Sequence, residues 1–358
     1  MNLPCLRWNL ITCLLFITYF AKAQTDSLQS CSNACCVIDP TPAGIMVSNL
    51  HTKKELMFSY KFMHMNMGKM ISGSSTFSDK KVYQNYLMAS EKMYMNMHMV
   101  MAMYGLSNKI TLMGMVSFNS ISMTMLRNNG IIHKHAPSSS QVFMAPMDER
   151  IENNHIGDPE LHALIRIIKG THHQLILNAG ISIPLGSVEG KGKQNSMYPE
   201  KRLPYIMQIG SGTLDLLPGL TWLYYNRKTT LSSQITTSIR TGYNKLGYKL
   251  GNEFILNNWV AYQIIPFVSS SIRLESSISG LIQGNDISIF PGMEPAANPS
   301  NYGGKKMVGF IGFNIHLNEI FKRSFTVGAE FGLPVYQYVN GIQMKSNHFI
   351  NLSANVLF

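Results

Sequence analysis

Beyond residue 20 the chain has no long apolar run, and that absence constrains it more than any motif does. A helix that crosses a bilayer needs about 20 consecutive apolar residues. A helical membrane protein is therefore excluded, although 45% of the residues are hydrophobic. Charge is sparse at 14%, and acids are scarcer than bases, 19 against 30, for a formal net charge of +11. The sequence has no G-x-S-x-G, no H-E-x-x-H, no Gly-rich phosphate loop and no C-x-x-C pair, so no enzyme constellation is supported. No nucleic-acid module is present either. The basic excess reads instead as loops facing anionic lipid head groups or small anions.

The N-terminus carries an export signal. Arg7 supplies positive charge, residues 10–20 are a short apolar run, and Ala21-Lys22-Ala23 is a small-x-small cleavage site before Gln24. Removing residues 1–23 takes away Arg7 and Lys22 and no acid, so +11 becomes +9. Cysteine is scarce in what remains: Cys31, Cys35 and Cys36, in "CSNACC". Export permits a disulfide, and the odd count leaves one thiol; the same three soft ligands at close spacing also suit a metal.

What the chain has in abundance is period-two alternation. Over residues 55–67, Leu56, Phe58, Tyr60 and Phe62 share one face, and Glu55, Met57, Ser59, Lys61, Met63, Met65 and Met67 share the other. A wholly apolar, aromatic-rich face opposed to a mixed one fits lipid outside and water inside. "ELHALIRIIK", "HQLILNAGISIP", "LSSQITTSIRTGY", "FVSSSIRLESSIS", "KKMVGFIGFNIHLN" and "SFTVGAEFGLPVYQY" repeat the pattern. Short turn signals lie at 106–109, 169–172, 225–228 and 243–247, and longer polar stretches at 68–91, 127–157, 187–202 and 283–304 read as outer loops. At the C-terminus, Ile350, Leu352, Ala354, Val356 and Phe358 alternate with Asn351, Ser353 and Asn355. A last amphipathic strand ending on an aromatic residue resembles the signal read by the barrel-assembly machinery. The expectation is an all-β, transmembrane antiparallel up-and-down β-barrel of about 12 strands, within a range of 10–14. Residues 1–23 form the signal peptide, 24–50 an N-terminal periplasmic segment with the cysteine cluster, and 51–358 the barrel. Its surroundings are outer-membrane lipid and a small-molecule solute, with no nucleic acid.

Five segments, "HIGDPELHALIRI", "LNAGISIPLGSVEG", "RLPYIMQIGSGTLDLLPGLTWL", "GYKLGNEF" and "EFGLPVYQYVNGIQM", resemble in their order a transporter-like outer-membrane family, the one named for a role in the meta-pathway of phenol degradation. The methionine-rich strands "FMHMNM" and "MNMHMVMAMYGLSNKITLMGM" resemble one branch of it. The resemblance spans roughly residues 40–358. It implies a pore-type barrel passing small, aromatic or hydrophobic solutes, and brings no catalytic residue with it. Asp158, Asp215 and Asn252 lie in the matching motifs, where a structural role in turns or interior hydrogen bonds is expected.

Sixteen of the 25 methionines fall between Met57 and Met125, six of them alternating in "KMYMNMHMVMAMY" at 92–104. Period two excludes a helical seam. Tyr94 and Tyr104, ten residues apart on the other face, suit the two aromatic girdles of a crossing strand. The candidate lumen lining is Met57, Met63, Met65, Met67, Met93, Met95, Met97, Met99, Met101, Met103, Met113 and Met115. The competing reading is a soft-metal site for Cu(I), since thioethers and thiolates suit that ion; its candidates are Cys31, Cys35, Cys36, Met95, Met97 and Met99. His64 and His98 each sit between two methionines, but alternation turns them to the opposite face. His133, His135, His172 and His173 read as solvated loop residues. A solute pore is thus expected first, a copper-binding barrel second, and an outer-membrane enzyme or structural barrel last.

Overall fold

The computed structural model describes residues 40–127, 148–192, 202–317 and 324–358. The export signal, the cysteine cluster and His133 and His135 lie outside the described residues. The strands are β1 Leu56–Gly73, β2 Ser75–Phe77, β3 Met88–Ser107, β4 Ile110–Arg127, β5 Asp148–Ile156, β6 Glu160–Lys169, β7 His173–Ser182 and β8 Asp215–Leu216. They continue with β9 Gly219–Asn226, β10 Thr229–Arg240, β11 Tyr248–Lys249, β12 Glu253–Ile265, β13 Val268–Ser279, β14 Gln283–Gly284, β15 Gly304–His316 and β16 Ser324–Leu357. One short helix, α1, spans Asp79–Val82.

Neighbours in sequence are neighbours in space, all antiparallel, and β16 returns to β1, so the sheet closes on itself. Closure removes every free edge, which is what lets strands stand in lipid with no unpaired backbone group. Two staves are broken mid-course. β5 and β6 are two parts of one stave interrupted at Gly157–Pro159, both pairing with β4; β8 and β9, interrupted at Leu217–Pro218, both pair with β10. The 34-residue β16 is folded on itself near Gly341, whose φ is +64°. Residues up to Val339 pair with β15, and those from Val339 to Leu357 pair with β1. Its two legs also touch: Gln337 Nε2 donates to the Ser346 carbonyl (2.8 Å) and Asn351 Nδ2 to Glu330 (3.3 Å). Among the described residues thirteen strands therefore make twelve staves, the number expected from the alternation.

The expected faces follow. Phe58, Tyr60, Val100, Tyr104, Val116, Ile272, Ile311, Phe331 and Leu352 are exposed, while Ser59, Lys61, Met99, Ser117, Arg273 and Asn351 on the same strands are buried. Tyr104 to Tyr94 covers about 33 Å of strand, or about 25 Å along the membrane normal at a 40° tilt, the height of an outer-membrane apolar band. The last residue completes the wall. The Phe358 N–H donates to the Leu56 carbonyl (2.8 Å), and its ring meets Phe58 edge-on at 5.9 Å.

Three expectations need correction. The stretch 127–157 is not all loop: β5 occupies 148–156 of it and extends the wall beside β4. Its sequence, "DERIENNHI", is polar on both faces because that part of the wall has no lipid to meet. For the same reason β1 runs on to Gly73 and β3 begins at Met88, inside the stretch expected to be loop. The 243–247 signal is no hairpin turn; it belongs to a longer outer loop in which Tyr248–Lys249 pair with Gln283–Gly284. Finally, His173 is exposed as expected but opens β7 instead of lying in the loop, and His172, in the turn before it, is half-buried. His172 Nδ1 lies 3.0 Å from the Tyr225 carbonyl, and His173 stacks on Trp222 and packs on Tyr224, within an aromatic patch at the short-turn end.

Candidate functional site

β1, β3 and β4 stand side by side, and their buried faces bring the methionines into one panel. In register, Met57 opposes Met103, which opposes Met113; Met101 opposes Met115; Met67 opposes Met93, which opposes Met123. Lys61 opposes Met99, Met63 opposes Met97, and Met65 opposes Met95. All twelve methionines singled out from the sequence belong to this panel. Met70, Met88, Met123 and Met125 extend it at the long-loop end. Period-two placement on adjacent antiparallel strands stacks the side chains in rows, as cross-strand geometry requires.

The panel faces two apolar clusters. At the short-turn end Met57, Met99, Met101, Met103, Met113 and Met115 pack with Ile45, Leu164, Ile176, Leu223 and Trp259, reaching from β1 around to β12. At the long-loop end Met67, Met70, Met88, Met93, Met123 and Met125 pack with Val82, Ile151, Leu203, Met207 and Met344. An unbranched thioether side chain adapts to an irregular partner surface, and both clusters have one. In the first the partner is the N-terminal segment; in the second it is the outer loops.

Residues 40–50 lie against the inner ends of side chains from many staves. The Gly44 N–H donates to Glu330 (2.6 Å), Asn314 Nδ2 to the Thr41 carbonyl (2.9 Å), Gln234 Nε2 to the Met46 carbonyl (3.0 Å), and Lys61 Nζ to the Ile45 carbonyl. These donors and acceptors come from β16, β15, β10 and β1, so the segment is held from opposite walls. Gly44 is dictated by space. A Cβ there would lie 2.5 Å from Arg273 Nη2, 2.5 Å from Glu330 Oε2 and 2.6 Å from Asn351 Nδ2.

The anchor is a buried charge cluster. Arg273 Nε and Nη2 donate to the two carboxylate oxygens of Glu330, both at 3.0 Å, and Nη1 donates to Asn257 and Glu275, both at 2.8 Å. The guanidinium carbon lies 3.8 Å from the centre of the Phe310 ring. Bidentate pairing, four hydrogen bonds from the guanidinium and ring stacking are what make such a buried pair tolerable.

The outer loops meet over the other end. Tyr205, Tyr248, Ile282, Ile289 and Ala297 form a cluster, with the Tyr205 and Tyr248 rings edge-to-face at 4.8 Å. Tyr205 Oη accepts from the Asp286 N–H (2.9 Å), Tyr302 Oη accepts from the Ile206 N–H (2.9 Å), and Ser90 Oγ donates to Glu294 (3.1 Å). Burial raises all three tyrosine pKa values, that of Tyr248 to about 12 and that of Tyr302 well above its ordinary value. Beneath this cap lies a cavity lined by Met67, Met70, Ile206, Pro295, Tyr302 and Met344.

The motif residues hold loops to this scaffold. Asp158 accepts from the backbone N–H groups of Gly186 (2.7 Å) and Ser211 (2.8 Å). Asp215, fully buried, accepts from Thr213 Oγ1 (2.6 Å) and pairs with Arg240, whose own N–H donates to Asn252 (2.9 Å). His64 and His98 lie on the face away from the methionines: His98 meets the Tyr60 hydroxyl (2.7 Å), and His64 meets Asn96 (2.7 Å). Among the described residues no three His, Cys, Asp or Glu side chains gather as a metal cluster. Of the features that shape the site, the interior N-terminal segment is the one sequence reasoning missed. "TPAGIMVSNL" carries no period, and its only pointer is a glycine between alanine and isoleucine.

Comparison with family models and with curated proteins gives no match. Among solved structures, an outer-membrane channel from Pseudomonas putida F1 superposes with a TM-score of 0.57 at 11% identity, over 90% of this chain and all of that one. A FadL homologue from Pseudomonas aeruginosa gives 0.42 at 9% identity, over 85% of this chain and 90% of its own. The toluene transporter TodX of P. putida gives 0.40 at 9% identity, over 86% and 90%. The first shares the fold of the chain, a transmembrane β-barrel of outer-membrane type; the other two are more distant and nothing below rests on them.

Proposed function

We propose that the protein is an outer-membrane transport barrel that carries small, largely apolar solutes along its methionine panel, with residues 40–50 as the constriction. The observation that carries this reading is the panel's continuity. Thioethers run from the cavity beneath the outer loops down to the N-terminal segment. A water-filled sieve for polar solutes would line its wall with charge and amide groups on every stave. Here β3 carries an unbroken row of thioethers from Met93 to Met103, flanked on β1 and β4 by methionines with Ser59, Lys61, Ser117 and Asn119 among them, while Gln234, Asn257 and Asn351 lie on other staves. An adaptable track suits solutes that differ in shape. The channel nature of the P. putida neighbour and the family resemblance, with its aromatic or hydrophobic solutes, support the same reading. Export by a cleaved signal peptide and insertion through the C-terminal strand ending in Phe358 belong to it.

The test is uptake into proteoliposomes of monocyclic aromatic compounds and of sugars of matched size. Faster entry of the aromatics than of the sugars, dependent on folded barrel, is the expected result. Equal entry of both, or entry no faster than into empty liposomes, would refute the proposal.

A further inference from the structure

Between the two apolar clusters the panel changes character. Twelve of the sixteen methionines from Met57 to Met125 are no more than 9% exposed. The other four, Met63, Met65, Met95 and Met97, are only partly buried. They are also neighbours, Met63 opposing Met97 and Met65 opposing Met95, so they form a two-by-two square. Met63 and Met97 border the lower cluster; Met65 and Met95 border the upper one. The square is therefore the part of the panel whose methionine side chains are not packed away in either cluster.

We propose that this square binds a soft monovalent metal ion, Cu(I) or its redox-inert analogue Ag(I). Adjacent strands lie about 4.8 Å apart, and residues two apart on a strand about 6.7 Å. Each methionine has three rotatable bonds, so two to four sulfurs can close on one ion between them. Thioethers alone select soft monovalent ions over Zn(II) or Cu(II), which take imidazole, thiolate or carboxylate. The surroundings fit a site set by sulfur. Met63 and Met65 face Asn351 and Phe349 on β16, and Met97 and Met95 face Asn119 and Ile121 on β4. The nearest cation on β1, Lys61, is turned to the Ile45 carbonyl. His64 and His98 lie on the outer face and take no part. Met99, grouped with Met95 and Met97 from the sequence, is buried in the lower cluster and is replaced here by Met63 and Met65.

The experiment uses full-length barrel in detergent with Cys31, Cys35 and Cys36 changed to serine, titrated with Cu(I) held by a chromogenic chelator, and separately with Ag(I). The expected result is a single ion per folded chain, with X-ray absorption showing sulfur as its nearest neighbour, and no retention of Zn(II). Replacing Met63, Met65, Met95 and Met97 by leucine abolishes binding, while Met101→Leu with Met103→Leu in the lower cluster leaves it intact. Folding of each variant is checked by the mobility difference between unheated and boiled barrel on a gel. Binding retained in the folded fourfold variant, or lost equally in the Met101/Met103 variant, would overturn the proposal, as would no binding by the parent. Solute uptake by the metal-free parent separates this site from the transport reading, which does not depend on a bound ion.

Discussion

Glu330→Ala removes the carboxylate that holds both the Arg273 guanidinium and the Gly44 N–H. Arg273 and Glu330 are 1% and 3% exposed, so the variant strands a buried cation. Breaking a buried pair costs about 3–5 kcal/mol. Glu275 stays in contact with Nη1 and keeps a quarter of its side chain in solvent, so the lower end, about 3 kcal/mol, applies. Losing the Gly44 bond to a charged acceptor adds about 1.5–3 kcal/mol, giving about 4.5–6 kcal/mol in all. Urea unfolding of the barrel in lipid vesicles reads the first effect, and protease cleavage within residues 40–50 reads the second. Replacing Arg273 by Met together with Glu330 by Leu should recover most of the barrel's stability, because an apolar pair needs no desolvation. It should not recover the anchor of Gly44. If Glu330→Ala unfolds within about 1 kcal/mol of the parent and residues 40–50 stay protected, the charge cluster does not hold the segment and the reasoning fails.

Two further predictions concern the ends of the barrel. The tyrosines of the outer cap have raised pKa values, so their neutral forms are favoured in the fold. That stability is fully present below pH 10, the ordinary tyrosine value, and is lost as pH rises toward about 12. Loop cleavage by an alkali-tolerant protease should therefore begin in that window together with tyrosinate absorbance; loops already open at pH 8 would contradict it. Phe358→Ala removes a ring contact worth about 1 kcal/mol and keeps the backbone bonds to Leu56, so refolding into vesicles should change little while assembly in cells falls several-fold. Equal losses in both would mean that Phe358 acts through packing alone.

Legibility in the sequence followed the solvent. Where a strand has lipid on one side, as from Leu56 to Phe62 or Leu161 to Ile167, alternation is clear and gives face and strand count together. Where the wall rises past the lipid, as in β5, both faces are polar and the period disappears. The interior segment was invisible for another reason. Residues 40–50 are held by single bonds from Gln234, Asn314, Lys61 and Glu330, each distant in sequence, and such contacts leave no local pattern. The methionine panel was legible as a stripe on each strand. Its division into two buried clusters and one accessible square was not, because burial there is decided by the N-terminal segment and the outer loops.

The central claim, that solute passes through this barrel past residues 40–50, is tested most directly by aromatic-solute flux into proteoliposomes holding the parent or Gly44→Ala. The added methyl would lie 2.5 Å from Arg273 and Glu330, and so pushes the segment off the side chains that hold it while changing no residue of the wall. The account predicts measurable flux through the parent and a severalfold increase in the variant. Flux absent from both, with the barrels folded, would contradict it.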